Sequence, residues 1–557
     1  MRILLLTRSF NSLTQRLFLE LKAQGHELSL EFDIADAVTI EAVALFRPDL
    51  LIAPFLQRAI PESVWSALPC LVLHPGPPGD RGPSALDWAI SEGAPDWGVT
   101  VLQAVADYDA GPVWADECFM MREATKSSLY RHEVTDAAAC AVGRAVQRFA
   151  AGEHPRPPPP GRWRPLMTQA QRRIDWRHDT TAVVLRKIRA ADGSPGVLDN
   201  LFDTPCQMFD AHAQSSTGSH EPGTLIGRRD GAVLRATSDG AVWIGHVRRV
   251  DAPGQFKLPT TLAFRTQCEA LPEVTPGVAW PQIRYVAADG VGTLHFPFYN
   301  GAISTEQCQR LNDALRQALA QPESVLVLAG GSDFWCNGIH LNVIEAADSP
   351  ADESWRNINA IDDLCLTLIE ATHKWIVAAM QGNAGAGGMF MALAADEIWA
   401  RDGVVLNPHY KNMGNLYGSE YWTYLLPRRL DAAAATELMG QRLPVAAAQA
   451  VAMGLIDASF GSSPGSFMRE VQARAHRVAV DTTLGDRLDA KRRRRQHDEA
   501  TKPLAAYRTE ELQRMRRNFY GFDSSYHIAR SNFVNRVPHS WTPRHLALHR
   551  DAARKGT

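Results

Sequence analysis

The chain is poor in the features that mark a secreted scaffold, a metal site or a membrane span. Its eight cysteines (Cys70, Cys118, Cys140, Cys206, Cys268, Cys308, Cys336 and Cys365) are scattered over 557 residues. None forms a C-x-x-C pair or a Cys/His cluster at zinc-ligand spacing, which counts against a disulfide framework and a structural metal. A reduced, metal-free, cytoplasmic protein fits that pattern. No apolar run reaches the roughly 18–20 residues of a membrane helix, and the short run Ile3–Leu6 is too brief for a secretory signal. Neither sign of charge dominates: 58 Lys and Arg face 61 Asp and Glu, a formal net charge of −3. Nucleic acid and membrane are therefore not expected partners, and small-molecule substrates are. A roughly 20–50-residue repeat is missing, which excludes a solenoid, and no G-x-G-x-x-G follows the first strand, which counts against a dinucleotide.

What is present is more chain than one core can use, since single cores stop growing near ~250–300 residues. The expected fold class is multidomain α/β. Short apolar runs alternating with helical patterns (Ile3–Leu6, Ser12–Gln24, Leu28–Phe32, Ile40–Phe46, Leu50–Phe55, Leu71–His74) predict a Rossmann-like domain over residues 1–154, with a parallel sheet covered by helices. Pro155–Gly161 contains five prolines and predicts an extended linker over 155–165. A helical pattern at Ala182–Ala191 followed by short strands predicts a small barrel-like domain over 166–276. A second α/β block spans 277–480, with a capping box at Ser304 and Gln307. A charged helical tail covers 481–557, and its basic run Lys491–Arg495 reads as a solvated helix face.

Ligands on such sheets bind beyond the carboxyl ends of the strands. Two loops there follow apolar strands, at Ala53-Pro54-Phe55-Leu56 and at His74-Pro75-Gly76. Beyond His74 come Arg81-Gly82-Pro83-Ser84, Gly98-Val99-Thr100 and Asp107-Tyr108-Asp109-Ala110-Gly111-Pro112. A histidine and an aspartate on adjacent loops can hold each other in a reactive ionisation state and shuttle a proton during acyl transfer. This pattern resembles the 10-formyltetrahydrofolate-dependent formyltransferases, over residues 1 to about 150. Arg173–Trp176 with Pro222-Gly223-Thr224 resembles that family's C-terminal barrel domain. The resemblance implies that His74 and Asp109 are catalytic, that Ala53, Pro54, Phe55 and Leu56 line the pteridine pocket, and that Arg81, Ser84 and Asp107 belong to the cofactor site. Where the family carries a catalytic asparagine, this sequence has Val72. A thiol acceptor is consistent with that loss, because a thiolate depends less on activation than an amine does.

A second constellation lies in Ala329–Leu341 and Val377–Met389, two strand-and-glycine segments, with Leu443-Pro444 and Gly454–Asp457 beyond. Glycines there let a carbonyl approach backbone N–H groups at a helix start. These segments resemble the crotonase (enoyl-CoA hydratase/isomerase) superfamily over roughly residues 280–470, which implies an oxyanion hole at Ile339 and Gly387 for a coenzyme A thioester. The hydratase glutamates fall on Phe390 and on His409 or Tyr410, so hydration of an enoyl thioester is not expected. Asn407–Trp422 instead brings Tyr410 and Glu420 forward as candidates for proton handling.

A formylfolate module joined to a crotonase module resembles the HypX (HoxX) family of hydrogenase-maturation proteins along the whole chain, including Pro503–Tyr507 and Asn518–Phe522. That resemblance implies formyl transfer from 10-formyltetrahydrofolate to coenzyme A, decarbonylation of formyl-CoA, and carbon monoxide destined for a NiFe hydrogenase iron. It also allows for hydrogenase-maturation proteins as partners. Three other readings stay open: hydrolysis of the formyl group to formate, formyl transfer to an amine, and a non-catalytic folate- and CoA-binding scaffold.

Overall fold

The computed structural model describes residues 1–214, 220–251, 254, 256–275 and 281–555. The expected boundary at 276/277 lies outside the described residues. The chain divides into two compact units, one formed by Met1–Trp280 with Pro538–Thr557, the other by Pro281–Val537. Among the described residues no helix is long and apolar enough to cross a membrane.

The first unit opens with a six-stranded sheet. Its spatial order is Glu27–Phe32, Arg2–Thr7, Leu50–Phe55, Cys70–His74, Asp96–Gln103 and Val113–Met120. The first four strands pair in parallel, as the strand and helix alternation predicts. The sheet is nevertheless mixed, because Asp96–Gln103 runs antiparallel to both of its neighbours. No crossover helix intervenes between Gln103 and Val113, which accounts for the second reversal, whereas the first occurs although the helix Ala85–Glu92 lies between His74 and Asp96. The helices Ser12–Ala23, Asp36–Phe46 and Thr135–Ala150 turn their buried residues inward. Ile3, Leu4, Leu5, Leu30, Leu50 and Leu51 are fully or almost fully buried, the continuous apolar signature of strands covered on both faces.

The proline-rich segment is extended but does not hang free. Arg156 exchanges backbone hydrogen bonds with Val113 at 2.8 and 3.0 Å, and Arg162–Trp163 pairs with Asp80–Arg81. Beyond it, an antiparallel sheet runs in the order Leu225–Arg229, Ala232–Ala236, Ala241–Arg249, Thr204–Gln214, Val197–Leu201. The helix Thr181–Ala191 packs Val184, Leu185 and Ile188 against it.

The second unit carries a six-stranded sheet ordered Arg284–Ala288, Val291–Phe296, Val325–Gly330, Trp375–Met380, Glu397–Arg401, Ala458–Phe460. All pairings are parallel except the first. A smaller sheet joins Phe334–Cys336, Asn383–Gly385, Val405–Asn407 and Val445–Ala446. The capping box at Ser304 and Gln307 starts the helix Thr305–Leu319. The charged tail is helical at Leu484–Thr501, Leu504–Tyr520 and Ser525–Val534, and up to Val537 it belongs to this unit. In its basic run Arg492, Arg493 and Arg494 are solvated. Lys491 is buried, donating to the carbonyls of Ala371 and Lys374 and to Asp396.

Candidate active sites

His74 ends its strand at the sheet's carboxyl edge and is only 4% exposed. Its Nε2 lies 2.9 Å from Asp80 Oδ2 and its Nδ1 3.4 Å from Asp109 Oδ1. An imidazole that faces a carboxylate at each of its two nitrogens carries a proton on both and donates to each. Burial alone would push the His74 pKa down, but the hydrogen bonds and charges of Asp109 and Asp80 outweigh it and raise the value to about 9. The same pairing overcomes the burial of Asp109 and holds its carboxyl below the usual carboxylate range, helped by the Gly82 N–H at 3.0 Å and the nearby Arg81 charge.

The motif's glycines and prolines are explained by this crowding. A Cβ at Gly76 would press on both His74 and Asp80, and one at Gly111 would collide with the Gln103 carbonyl. Thr100 Oγ1 donates to the Gly76 carbonyl at 2.7 Å and Trp97 Nε1 to that of Pro75 at 2.9 Å, which fixes the loop beyond the histidine. Asp80 is in turn ion-paired with Arg164 Nε at 2.9 Å. That arginine comes from the segment expected to be a mere linker, so the chain after the prolines helps to build the site.

Beside His74 and Asp109 lies a cavity of about 750 Å³ whose walls include Pro54, Phe55, Leu56, Val72, Leu102, Asp107 and Tyr108. Its size falls in the range of small-molecule sites, ~300–1,000 Å³, and its mix of apolar wall and a few polar groups suits an aromatic ring carrying polar edges. Of the residues expected around the cofactor, Pro54, Phe55, Leu56 and Asp107 line it. Ala53 is buried in its strand. Arg81 donates from Nε and Nη2 to the Tyr108 carbonyl at 3.1 and 2.9 Å, bracing the loop that carries Asp109. The Ser84 hydroxyl accepts the Met167 N–H at 3.1 Å in the interior.

In the second unit, the strand Gly338–Ile339 and the start of the helix Gly387–Ala392 lie side by side: a Cβ on Gly338 would stand 3.1 Å from the Gly387 nitrogen. Glu420 presses on the same spot, for a Cβ on Gly387 would collide with its Oε1. The Tyr410 hydroxyl donates to Glu420 Oε2 at 2.5 Å, and the Tyr410 ring stacks on Phe390 with centroids 5.0 Å apart. Gly418 is required beneath that ring, because any side chain there would run into it. Ile339, Gly387, Tyr410 and Glu420 are thus gathered in one place, and Phe390 supplies an apolar wall against the Tyr410 ring.

Glu420 is 1% exposed and has two further carboxylates behind it. Asp362, from the helix Pro350–Glu370, accepts the Glu420 N–H at 2.8 Å and the Ser419 hydroxyl at 2.7 Å. Glu511, from the helix Leu504–Tyr520, accepts from Tyr421 and Thr423. Burial first, and the Asp362 charge second, raise the pKa of Glu420 to about 8. Burial and the Glu420 carboxylate drive the Tyr410 hydroxyl well above its ordinary value. Glu420 and Tyr421 both hold positive φ, 61° and 58°, a conformation that costs non-glycine residues about 1–3 kcal/mol each and collects at functional sites. Asp362 and Glu511 carry no local motif, and Asp80 and Arg164 were likewise not singled out from the sequence.

Comparison with known proteins agrees with this division. Residues 290–538 match the enoyl-CoA hydratase/isomerase family and residues 166–253 the formyl transferase C-terminal domain. A methionyl-tRNA formyltransferase of Delftia acidovorans is 27% identical over 221 residues, 37% of this chain and 66% of that protein. Hydrogenase maturation factor HoxX of Bradyrhizobium diazoefficiens is 55% identical over 555 residues, covering 99% of this chain and 97% of its own length. The crystal structure of HypX from Aquifex aeolicus in complex with tetrahydrofolic acid superposes with a TM-score of 0.96 at 46% identity, covering 99% of both chains. With both modules present and the similarity running end to end, the chain belongs to the HypX (HoxX) family of hydrogenase-maturation factors.

Proposed function

We propose that the first unit transfers a formyl group from 10-formyltetrahydrofolate to the thiol of coenzyme A, and that the second breaks formyl-CoA into carbon monoxide and coenzyme A for the iron of a NiFe hydrogenase. The folate reading is supported by the cavity beside His74 and by the tetrahydrofolic acid bound to the Aquifex relative. Sulfur attacks the formyl carbon, the charged His74 stabilises the developing oxyanion, and collapse breaks the carbon–nitrogen bond. The thiol proton is passed by the His74–Asp109 pair to the departing folate nitrogen. Val72 offers no hydrogen bond to that oxyanion, in keeping with a sulfur nucleophile.

The observation that carries the second step is the buried Tyr410–Glu420 pair, 2.5 Å apart, against Gly387. N–H groups of Ile339 and Gly387 would polarise the thioester carbonyl. Glu420, oriented by Tyr410, takes the formyl hydrogen as a proton, the carbon–sulfur bond breaks, carbon monoxide departs, and the proton is returned to sulfur. The step neither consumes nor releases a proton overall, so a closed acid/base pair shielded from water suffices. Incubation with formyl-labelled formyltetrahydrofolate and coenzyme A tests the reading: label should leave as carbon monoxide through formyl-CoA. Label recovered wholly as formate would make the protein a formyl hydrolase, and no loss of label from the folate would favour the scaffold.

A further inference from the structure

The segment Tyr417–Thr423 that carries Glu420 is neither strand nor helix until Trp422, so its buried backbone N–H groups need partners from elsewhere. Three residues on one face of the helix Leu504–Tyr520 provide them. Asn518 Oδ1 accepts the Tyr417 N–H at 3.1 Å, Met515 Sδ the Gly418 N–H at 3.1 Å, and Glu511 Oε2 the Tyr421 N–H at 3.0 Å. Glu511 Oε1 accepts the Thr423 N–H at 2.8 Å and its hydroxyl at 2.5 Å, while Oε2 also receives the Ser419 hydroxyl at 3.4 Å. Positions 511, 515 and 518 follow the spacing i, i+4, i+7 that aligns side chains along one helical stripe. Glu511 is wholly buried and Met515 likewise. From the other side Asp362 holds the Glu420 N–H and the Ser419 hydroxyl, and Arg508 Nε, one turn before Glu511, stands 3.8 Å from Asp362.

We infer that this helix is a positioning element of the second site: its Glu511, Met515 and Asn518 read the backbone of Tyr417–Thr423, keep Glu420 and Tyr421 in their left-handed conformation, and so hold the Glu420 carboxylate against Gly387. Glu511 is the central positioning residue. Wholly buried against Ser419, Tyr421 and Thr423, it acts through the loop. Every polar partner of Glu511 named above donates to it, so an amide in its place would set an NH2 group against at least one donor. A displaced Glu420 would still leave the thioester cradle at Ile339 and Gly387 intact, and the effect should fall on turnover and not on binding. The inference rests on the proposed decarbonylation by Tyr410 and Glu420.

The test uses the full chain supplied with formyl-CoA, with carbon monoxide release as the readout. Glu511→Gln should lower kcat by about 10- to 100-fold, the scale on which a small misplacement of a reacting group acts, with KM for formyl-CoA kept within about threefold and formyl transfer from the folate unaltered. Glu511→Asp, which restores a carboxylate one methylene shorter, should recover part of the loss. A merely structural role would lower Tm and the yield of folded protein while leaving kcat per folded molecule untouched, and that result would overturn the inference. If Glu511→Gln does not accumulate as folded protein, Asn518→Ala carries the same test, since it removes the Tyr417 acceptor alone; unchanged kcat in that variant overturns the inference. Tyr410→Phe run in parallel separates the two levels. Should it release carbon monoxide at the parent rate, the decarbonylation reading itself fails; should it lose release while Glu511→Gln and Asn518→Ala keep it, only the positioning role fails.

Discussion

In the first unit a histidine sits between two carboxylates, one of them backed by an arginine; in the second, three buried carboxyl groups crowd around one loop, with Arg508 standing 3.8 Å from one of them. Burial opposes charge in both places. Around His74 opposite charges are paired closely enough to win, so the imidazole is held protonated and Asp109 ionised. Around Glu420 like charges reinforce burial, and a carboxyl becomes a base strong enough to be useful near neutrality. An acid and a base of similar pKa are thus made from different residues by opposite electrostatic arrangements, which suits the two reactions proposed for the formyl group.

The largest effects should come from breaking each arrangement at its centre. His74→Ala and Asp109→Ala should slow loss of formyl from the folate by about 10²–10⁴-fold, yet leave carbon monoxide release from added formyl-CoA at the parent rate. Tyr410→Phe and Glu420→Gln should do the reverse, and mass spectrometry of quenched reactions should find formyl-CoA accumulating. A variant that damages both reactions equally would mean that the sites are not chemically separate.

Gly387→Ala comes next. Its new methyl would occupy the place of the Glu420 carboxylate, and displacement on that scale should cost about 10²-fold in carbon monoxide release. Folate turnover should not change, and a parent-like release rate would show that Glu420 need not stand there.

A smaller effect is the pH dependence of stability. The His74 pKa is raised in the fold from 6.5 to about 9, so its stabilisation is complete below pH 6.5 and is lost as pH rises through about 9. Glu420 rises from 4.5 to about 8, so its protonated form favours the fold most below pH 4.5 and that advantage is lost as pH rises through about 8. Thermal melts against pH should therefore lose slope between pH 6.5 and 9 in His74→Gln and between pH 4.5 and 8 in Glu420→Gln. Slopes identical to the parent would contradict the ionisation states assigned here. The smallest change expected is Val72→Asn, which restores an oxyanion donor at the cavity wall and should shift acceptor preference from thiol toward amine or water by no more than about tenfold. Competition between coenzyme A and hydroxylamine measures it.

The same contrast explains how much the sequence disclosed. His74, Gly98, Thr100, Asp109 and Gly111 lie within 38 consecutive residues, and their local crowding demands small residues at fixed places, so the pattern survives as a readable motif. Asp80 stood inside that motif unnoticed because an aspartate in a glycine- and proline-rich turn has an ordinary role as a turn residue. Tyr410 and Glu420 were legible as polar residues of Asn407–Trp422, the segment in which the crotonase resemblance places one of the replaced glutamates. Glu511 was not, because it lies in a helix dense in arginine and glutamate whose composition reads as surface, and only the packing of that helix removes it from water. Lys491 is hidden for the same reason. A strand at Gly98–Val101 was legible but its direction was not, because the helix Ala85–Glu92 lies between it and Cys70–His74, and the alternation of strand and helix predicts a parallel pairing there.

The return of Pro538–Thr557 to the first unit has a consequence for biosynthesis. Glu27–Phe32 is the outer strand of the first sheet. Its Leu30 N–H donates to the Leu546 carbonyl at 3.0 Å and its Phe32 N–H to Thr542 Oγ1 at 2.8 Å. The wholly buried Glu31 is held by Thr542, His549 and Arg550. Until the ribosome has made those residues, that strand presents an unpaired edge and an acid without its hydrogen-bond and ion-pair partners. At ~5–20 residues per second, the interval in which the second unit is synthesised lasts on the order of tens of seconds. The nascent first domain must wait through it with an adhesive edge exposed, so a stop codon or a bulky fusion placed just after Val537 should send the protein to chaperones or into inclusion bodies although both proposed catalytic centres are already encoded.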